Sequence, residues 1–489
     1  MKKIALFPRL ALAVLVVSTA LAAATPAATP ATAQPNILII VADDLGYADV
    51  GFNGGKVIAT PNLDRLAASG VNLTDFRVCP MCSPTRAGLM TGRWPLRFGM
   101  MRAVVPPWSQ YGLPPPENTL AELLAPAGYA QRGIVGKWHL GHARREFLPL
   151  AQGFTRFYGH YNGAIDYFTH ERDGEIDWHH DEHTVKETGY ATDLDAAEAA
   201  RFVRTASTQK PWLLYVPFNA PHAPYQAKES DLKKYPRLEG DQRAYAAMVD
   251  CLDQGIGQIL AAVAARPDAA NTLVLFFSDN GGILKVGSSN APYRGAKLTV
   301  YEGGTRVCAT IRWPAGGLTG GSRFAGRIGY IDVLPTLLAA AGAPIPPLLD
   351  GQNFLPALRG AATLPERPWF SYIHQTADAH ASVHLGNWKL VAHGDFFSTQ
   401  PTTPPSFELY DLATDPAETT SLAAQQPTRL AQLQRQLREF GSWQMAGVGA
   451  YAEGREGFVP PKDWIVGSAP AEKNTTSKAG KKKKKNADN

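Results

Sequence analysis

Three unbroken apolar runs constrain this chain more than any other feature. Asn36–Ala42 (NILIIVA), residues 212–218 (WLLYVPF) and Thr272–Ser278 (TLVLFFS) have strand length, and none alternates with polar residues. A strand that reads this way is covered on both faces, as in parallel sheets with helices above and below. Residues 133–135 read as a further short strand. Helical stretches lie between the runs. One starts at Thr60, read as an N-cap with Pro61 at the first position, and another covers 117–124. The predicted fold is α/β, a large, mostly parallel sheet sandwiched by helices. Beyond linker-like stretches at 344–347 and 364–368 the character changes. Short runs at Trp369–Ile373, 382–385, 388–392 and 407–410 precede a helix over 427–440. That pattern predicts a smaller C-terminal α+β domain. The expected division is 34–363 and 364–467.

The two ends of the chain read differently from its body. Lys2, Lys3 and Arg9 precede an apolar stretch over 10–24, and Ala31-Thr32-Ala33 offers small residues for cleavage, with an earlier site at 22–24. Residues 1–33 are therefore predicted to be a signal peptide. The apolar stretch is short for a bilayer span, and no later segment reads as one. The expectation is an exported protein, periplasmic or secreted, without stable membrane insertion. The formal charge of the 489-residue chain is +5, but the leader contributes +3 and the Lys-rich tail 468–489 another +5, which leaves −3 for the body. Such a body has no basic surplus to bind nucleic acid. Four cysteines are too few for a disulfide framework in a chain this long. Cys308, inside the apolar run 307–311, reads as a buried free thiol.

Chemistry is concentrated at the strand ends. Asp43 and Asp44 follow the first apolar run, and Asp279 and Asn280 follow the third. In open α/β sheets, ligands bind at the carboxyl ends of strands. Adjacent carboxylates repel unless a cation lies between them, and four hard oxygen donors suit Ca²⁺ or Mg²⁺ better than zinc. Between these pairs lies Cys82-Ser83-Pro84-Thr85-Arg86, with Gly92 six residues on. Ser83 reads as an N-cap, Pro84 as the first helical residue and Gly92 as the C-cap. Cys82 is then expected just before a helix N-terminus, where free N–H groups favour an anion, with Arg86 one turn in. Cys79-Pro80-Met81-Cys82 is also a CxxC. A redox dithiol, or two buried structural thiols, are the other readings of that segment.

The run from Cys82 to Arg93 (CSPTRAGLMTGR), Gly136-Lys137-Trp138-His139-Leu140-Gly141, and Ser278-Asp279-Asn280-Gly281-Gly282 together resemble the type I sulfatases of the alkaline phosphatase superfamily. The resemblance spans residue 35 to about 443, and within the family it points to the arylsulfatase B branch and bacterial arylsulfatases. It implies an alkaline phosphatase-like sheet and a Cys82 oxidised to formylglycine by a formylglycine-generating enzyme. The hydrated aldehyde would attack the sulfur of a sulfate ester, and the sulfated enzyme would then eliminate sulfate. Asp43, Asp44, Asp279, Asn280 and the oxygen at residue 82 would hold the cation, Ca²⁺ or Mg²⁺. Arg86, Lys137, His139, His222 (in Pro221-His222-Ala223-Pro224) and Lys297 (after Tyr293-Arg294-Gly295) would surround the ester. Lys137, His222 and Lys297 would bind sulfate, and Lys297 would also help to protonate the leaving alcohol. His139 would take the proton of the second diol oxygen, and Asp279 that of the attacking one. Lys137 and His139 are two apart, so on an extended segment both would face one side. With Cys82 converted, at most one disulfide could form among Cys79, Cys251 and Cys308. Ala164 stands where such sulfatases often carry a sulfate-holding serine. Tyr167, His170, Trp178, His179 and His180 are candidates for the pocket mouth. The implied substrates are aryl sulfates and sulfated sugars. A phosphonate or phosphodiester hydrolase on the same scaffold, and a glycan-binding protein with unconverted Cys82, are the alternatives.

Overall fold

The computed structural model describes residues 34–375, 378–394, 396–397, 401 and 404–467. The predicted leader and the Lys-rich tail lie outside the described residues. Asn36–Ala42 runs at the centre of a ten-stranded sheet, between Trp212–Pro217 and Thr272–Ser278 and parallel to both. Gln131–Lys137 and Arg156–His160 continue the parallel set beyond Trp212–Pro217. Both ends of the sheet then turn mixed. Ala309–Arg312 pairs antiparallel with Thr272–Ser278, and His179–His180 pairs antiparallel with Arg156–His160. The sheet is therefore parallel in its five central strands and mixed at its edges.

The continuous apolar runs follow from burial on both faces. Ile37, Ile39 and Val41 join Leu273, Leu275 and Phe277 in one core, with Ala87, Leu89 and Met90 of the Cys82–Thr91 helix and Leu334 and Leu337 of the Tyr330–Ala340 helix. The intervening Leu38, Ile40 and Ala42 join Val274 and Phe276 in a second core. Helices Ala191–Thr205 and Gly240–Ala264 cover that face. Fully burying each large side chain stabilises by about 1.5–3 kcal/mol, so register here is strongly specified: a one-residue slip would exchange the two sets. Gly240–Ala264 is long and apolar enough to cross a bilayer by length and composition, contrary to the sequence reading, but most of it is buried in this core.

Local signals account for the element ends with some shifts. The strand predicted at 133–135 extends over Gln131–Lys137. The helix predicted at 117–124 is confined to Leu120–Leu124, because Thr119 closes a capping box with Glu122. Thr60 precedes a helix, but its hydroxyl accepts from Gly51 N–H instead of capping. The C-terminal region forms a four-stranded antiparallel sheet of Trp369–Ile373, His380–Leu385, Trp388–His393 and Ser406–Asp411 in chain order. Helix Pro427–Gly441 covers it through Leu433, Leu437 and Phe440, with Phe440 stacked 4.3 Å from Phe370. These residues belong to the first core, so the small sheet and the large one share apolar packing.

Candidate active site

The carboxyl ends of the central strands gather the predicted residues. Ala42 and Ser278 are register partners, so Asp43-Asp44 and Asp279-Asn280 emerge side by side. Asp279 N–H donates to Ala42 O at 2.9 Å, and Asp43 N–H to Ala220 O at 3.1 Å. Lys137 ends its strand two places along the sheet. Cys82 is the first residue of the Cys82–Thr91 helix, with Met81 at the N-cap. This corrects the expectation that Ser83 caps and Cys82 stands outside. Ser83 Oγ instead accepts from Val105 N–H at 3.1 Å, and Pro84 is tolerated because first-turn N–H groups have no intrahelical partner. Gly92 ends the helix in the left-handed conformation, as read from the sequence.

Arg86 joins the two carboxylate pairs and is fully buried. Its Nε and Nη2 donate to Asp279 Oδ2 at 3.0 and 2.8 Å, its Nη2 also to Asp43 Oδ2 at 3.0 Å, and its Nη1 to Lys137 O at 3.0 Å. Lys137 Nζ donates to Asp43 Oδ2, Lys297 Nζ lies 2.7 Å from Asp44 Oδ1, and Asn280 Nδ2 donates to Asp44 Oδ1 at 2.8 Å. One ligand atom from each of Asp43, Cys82 and Asp279, and likewise from Asp43, Asp44 and His222, lies within 4.8 Å of the others. Three buried oxygens in the cluster have no hydrogen-bond partner: Asp43 Oδ1, Asp44 Oδ2 and Asn280 Oδ1.

Charge is divided unevenly. Burial and the Asp43 carboxylate push Asp279 up to about 7. Burial alone would raise Asp43 as well, but Lys137, His222, Arg86 and Lys297 hold it below the usual carboxylate range. Burial and Lys297 bring His222 down to about 4. Burial, with Lys137 and Arg86 beside it, keeps His139 well below its ordinary value. Burial raises the Cys82 thiol. It pushes Cys79, whose Sγ donates to Tyr330 Oη at 3.1 Å, up to about 12. Redox dithiols depend on a lowered thiol pKa, so this CxxC lacks the property that the redox reading requires. All four cysteines are buried free thiols, Cys308 as expected.

His139 departs from the extended geometry expected of it. Its φ is +56°, in the left-handed region, and its Nε2 lies 2.9 Å from Val105 O. That carbonyl accepts, so Nε2 carries the hydrogen and Nδ1, which has no partner, is left with a lone pair. Gly163 packs against this ring: a Cβ there would lie 2.5 Å from His139 Cε1 and Nε2. His222 Nε2 stands 3.7 Å from Asp44 Oδ2, and its Nδ1 is 2.6 Å from Ala223 O.

The sulfatase family profile matches residues 35–343, and the profile of the N-sulphoglucosamine sulphohydrolase C-terminal region matches 296–442. The chain is a member of the sulfatase family. It is a sulfuric ester hydrolase. It is similar to human N-acetylgalactosamine-6-sulfatase, 38% identical over 393 residues, which covers 74% of this chain and 73% of the relative. It is also similar to human arylsulfatase A, 34% identical over 462 residues, covering 82% and 85%. The crystal structure of Ps i-CgsB superposes with a TM-score of 0.79 at 32% identity over 86% of this chain and 95% of that one. A second structure of Ps i-CgsB holds k-i-k-neocarrahexaose.

Several residues were missed or misread in the sequence. His160 ends the strand beside Lys137, its register partner. It is fully buried, neither ring nitrogen has a hydrogen-bond partner, and burial lowers it to about 3. Asn219 follows the Trp212–Pro217 strand and likewise has no side-chain partner. For Asn219 the available signal was its position directly after the apolar run 212–218; no such run marks the strand that His160 ends. Of the residues proposed for the pocket mouth, Tyr167, His170, Trp178 and His179 are packed inside, with His170 stacked on Trp178 at 4.5 Å. His180 is exposed and bonds Arg156 at 3.1 Å. Ala164 is buried and supplies no hydroxyl.

Proposed function

We propose that this sulfatase cleaves sulfate monoesters of sugars, and aryl sulfates in vitro, at the cluster around Cys82. The observation that carries this reading is the set of buried, partnerless oxygens on Asp43, Asp44 and Asn280 beside Cys82. Buried polar atoms are nearly always paired, and hard oxygens converging in this way fit Ca²⁺ or Mg²⁺. Asp43, Asp44, Asp279 and Asn280 would hold the ion, which would supply positive charge against the sulfate oxygens. A thiol whose pKa is raised by burial is a poor nucleophile, which favours a Cys82 matured to formylglycine by its generating enzyme. Hydrated, that aldehyde supplies an oxygen nucleophile and a route to release sulfate.

The chain's own side chains do the remaining work. Arg86 holds Asp43 and Asp279 in place. Asp279, with a carboxylate oxygen within 4.8 Å of Cys82 Sγ, is positioned to accept the proton of the attacking hydroxyl. Neutral His139 offers its free Nδ1 as a second base. Lys137 and His222 face the sulfate. Lys297, kept charged by Asp44 although burial opposes it, donates a proton to the leaving oxygen. Residues 1–33 direct export to the periplasm or beyond. The Ps i-CgsB complex with an oligosaccharide supports a sugar sulfate as the natural substrate class. The test compares matured protein on a nitroaryl sulfate and a bis-nitrophenyl phosphate diester, before and after chelation. Faster sulfate cleavage that falls on chelation and returns with Ca²⁺ or Mg²⁺ supports the proposal. Faster diester cleavage, or indifference to chelation, overturns it.

A further inference from the structure

Beneath the turn that carries Lys297 lies a buried charge cluster that the proposed chemistry does not use. Glu302 is its centre. Glu302 Oε1 accepts from Arg77 Nη1 at 2.6 Å and from Lys389 Nζ at 3.0 Å, and Glu302 N–H donates to Glu418 Oε2 at 2.6 Å. Lys389 Nζ also lies 2.7 Å from Glu418 Oε1. Lys389 and Glu418 are fully buried, and both come from the C-terminal region. Burying an ammonium this deeply is costly unless its partners are well placed, so Lys389 is a demanding residue to keep where an apolar one would pack.

The cluster is tied to the site through the backbone on both sides of Glu302. Leu298 N–H donates to Pro80 O at 2.9 Å, two residues before Cys82, and Lys297 N–H donates to Gly282 O at 3.2 Å. Val78 N–H donates to Thr305 O at 2.9 Å, and Gly281 N–H to Gly304 O at 3.1 Å. The approach is close enough that a Cβ on Gly281 would collide with Gly303 O. The turn from Lys297 to Thr305 is thus laced to the segment before Cys82 and to the loop after Asn280. Among the described residues, Glu302 is its one buried anchor to the C-terminal sheet through an ion pair. Apolar contact follows the same route: Met81, Cys82 and Val300 share a cluster with Ile373, Val391 and Tyr410.

We propose that Lys389 is a positioning residue for sulfate-ester cleavage: through Glu302 and Glu418 it sets the turn that places the Lys297 ammonium over Asp44 and beside Cys82. The proposal rests on Lys297 as the proton donor to the leaving oxygen. Such a donor matters most when the leaving group is basic and least when it is an acidic phenol. A small displacement of a group remote from the chemistry can cost up to about a hundredfold in rate.

The test uses full-length matured Lys389→Met, Glu418→Gln and Lys297→Ala, each normalised for formylglycine content and melting temperature. Each is assayed on 4-nitrocatechol sulfate and on an unactivated sugar sulfate. Lys389→Met is expected to lose roughly tenfold or more in kcat on the sugar sulfate but less than about threefold on the nitroaryl ester, with KM little changed. Glu418→Gln keeps shape and the acceptor for Glu302 N–H while losing the charge, so it reads the same skew if Lys389→Met does not fold. A skew in Lys297→Ala with none in either cluster variant overturns the positioning role and leaves the reading of Lys297 intact. Equal loss on both esters in Lys297→Ala overturns that reading, and the proposal with it. Equal loss on both esters in the cluster variants alone assigns the cluster to stability and also overturns the proposal.

Discussion

Replacing Arg86 with Met tests whether the site is built as a balance of buried charges. Arg86 is fully buried and makes three charge-assisted hydrogen bonds to Asp43 and Asp279 and one to Lys137 O. Met fills a similar volume but leaves both carboxylates short of a partner. Breaking a buried pair by removing one member costs about 3–5 kcal/mol. With an unfolding entropy of about 2.1 cal/mol/K per residue, a chain this long loses roughly 1 °C per kcal/mol. In chelator the melting temperature should therefore fall by about 3–5 °C relative to the parent. A divalent ion supplies the missing positive charge, so Ca²⁺ should raise the variant's melting temperature by more than the parent's. Differential scanning calorimetry in chelator and in millimolar Ca²⁺ makes both measurements. A fall below about 1 °C, or equal stabilisation of both proteins by Ca²⁺, would refute the charge balance argued here.

Two further perturbations follow from local geometry. Gly163→Ala would bring a Cβ to 2.5 Å from the His139 ring. It should lower kcat by roughly tenfold through displacement of that base with little change in melting temperature, and steady-state kinetics would reveal any failure to do so. Asp177 accepts from Tyr161 N–H, Asn162 N–H, Asn162 Nδ2 and His179 Nε2 at 2.8–2.9 Å. Burial alone would raise its carboxyl, yet these partners, His179 foremost, hold it below the usual range. A lowered folded pKa means that its stabilisation is complete above the unfolded value, about 3.9, and is lost as pH falls toward the folded one. Asp177→Asn should thus be less stable by about 1–3 kcal/mol at pH 7. Denaturant titrations should show that gap closing below about pH 4, and a gap constant with pH would contradict the assignment.

How legible the molecule was depends on how local the determining physics is. NILIIVA and TLVLFFS could be read because each residue of a doubly covered strand must be apolar, whichever face it meets. The Asp pairs could be read because they directly follow those strands. The outer strands Val71–Leu73 and Ser322–Phe324 exist only through pairing across long separations, and no window of sequence contains that. The placement of Cys82 inside the helix was hidden because Ser83 looks like a cap, while its hydroxyl is taken by Val105. His139 was misread because strand alternation stops at Lys137. Lys389, Glu302 and Glu418 look like ordinary surface charges in sequence. Only the fold brings them together out of water.

The central claim is that residue 82 acts as a formylglycine. The most direct test is mass spectrometry of the tryptic peptide spanning 78–86 from protein exported by its native host. Cys82 found as the aldehyde or its hydrate is the expected result. Cys82 found wholly as a free thiol, or joined to Cys79, in a host with an active formylglycine-generating enzyme would contradict the account.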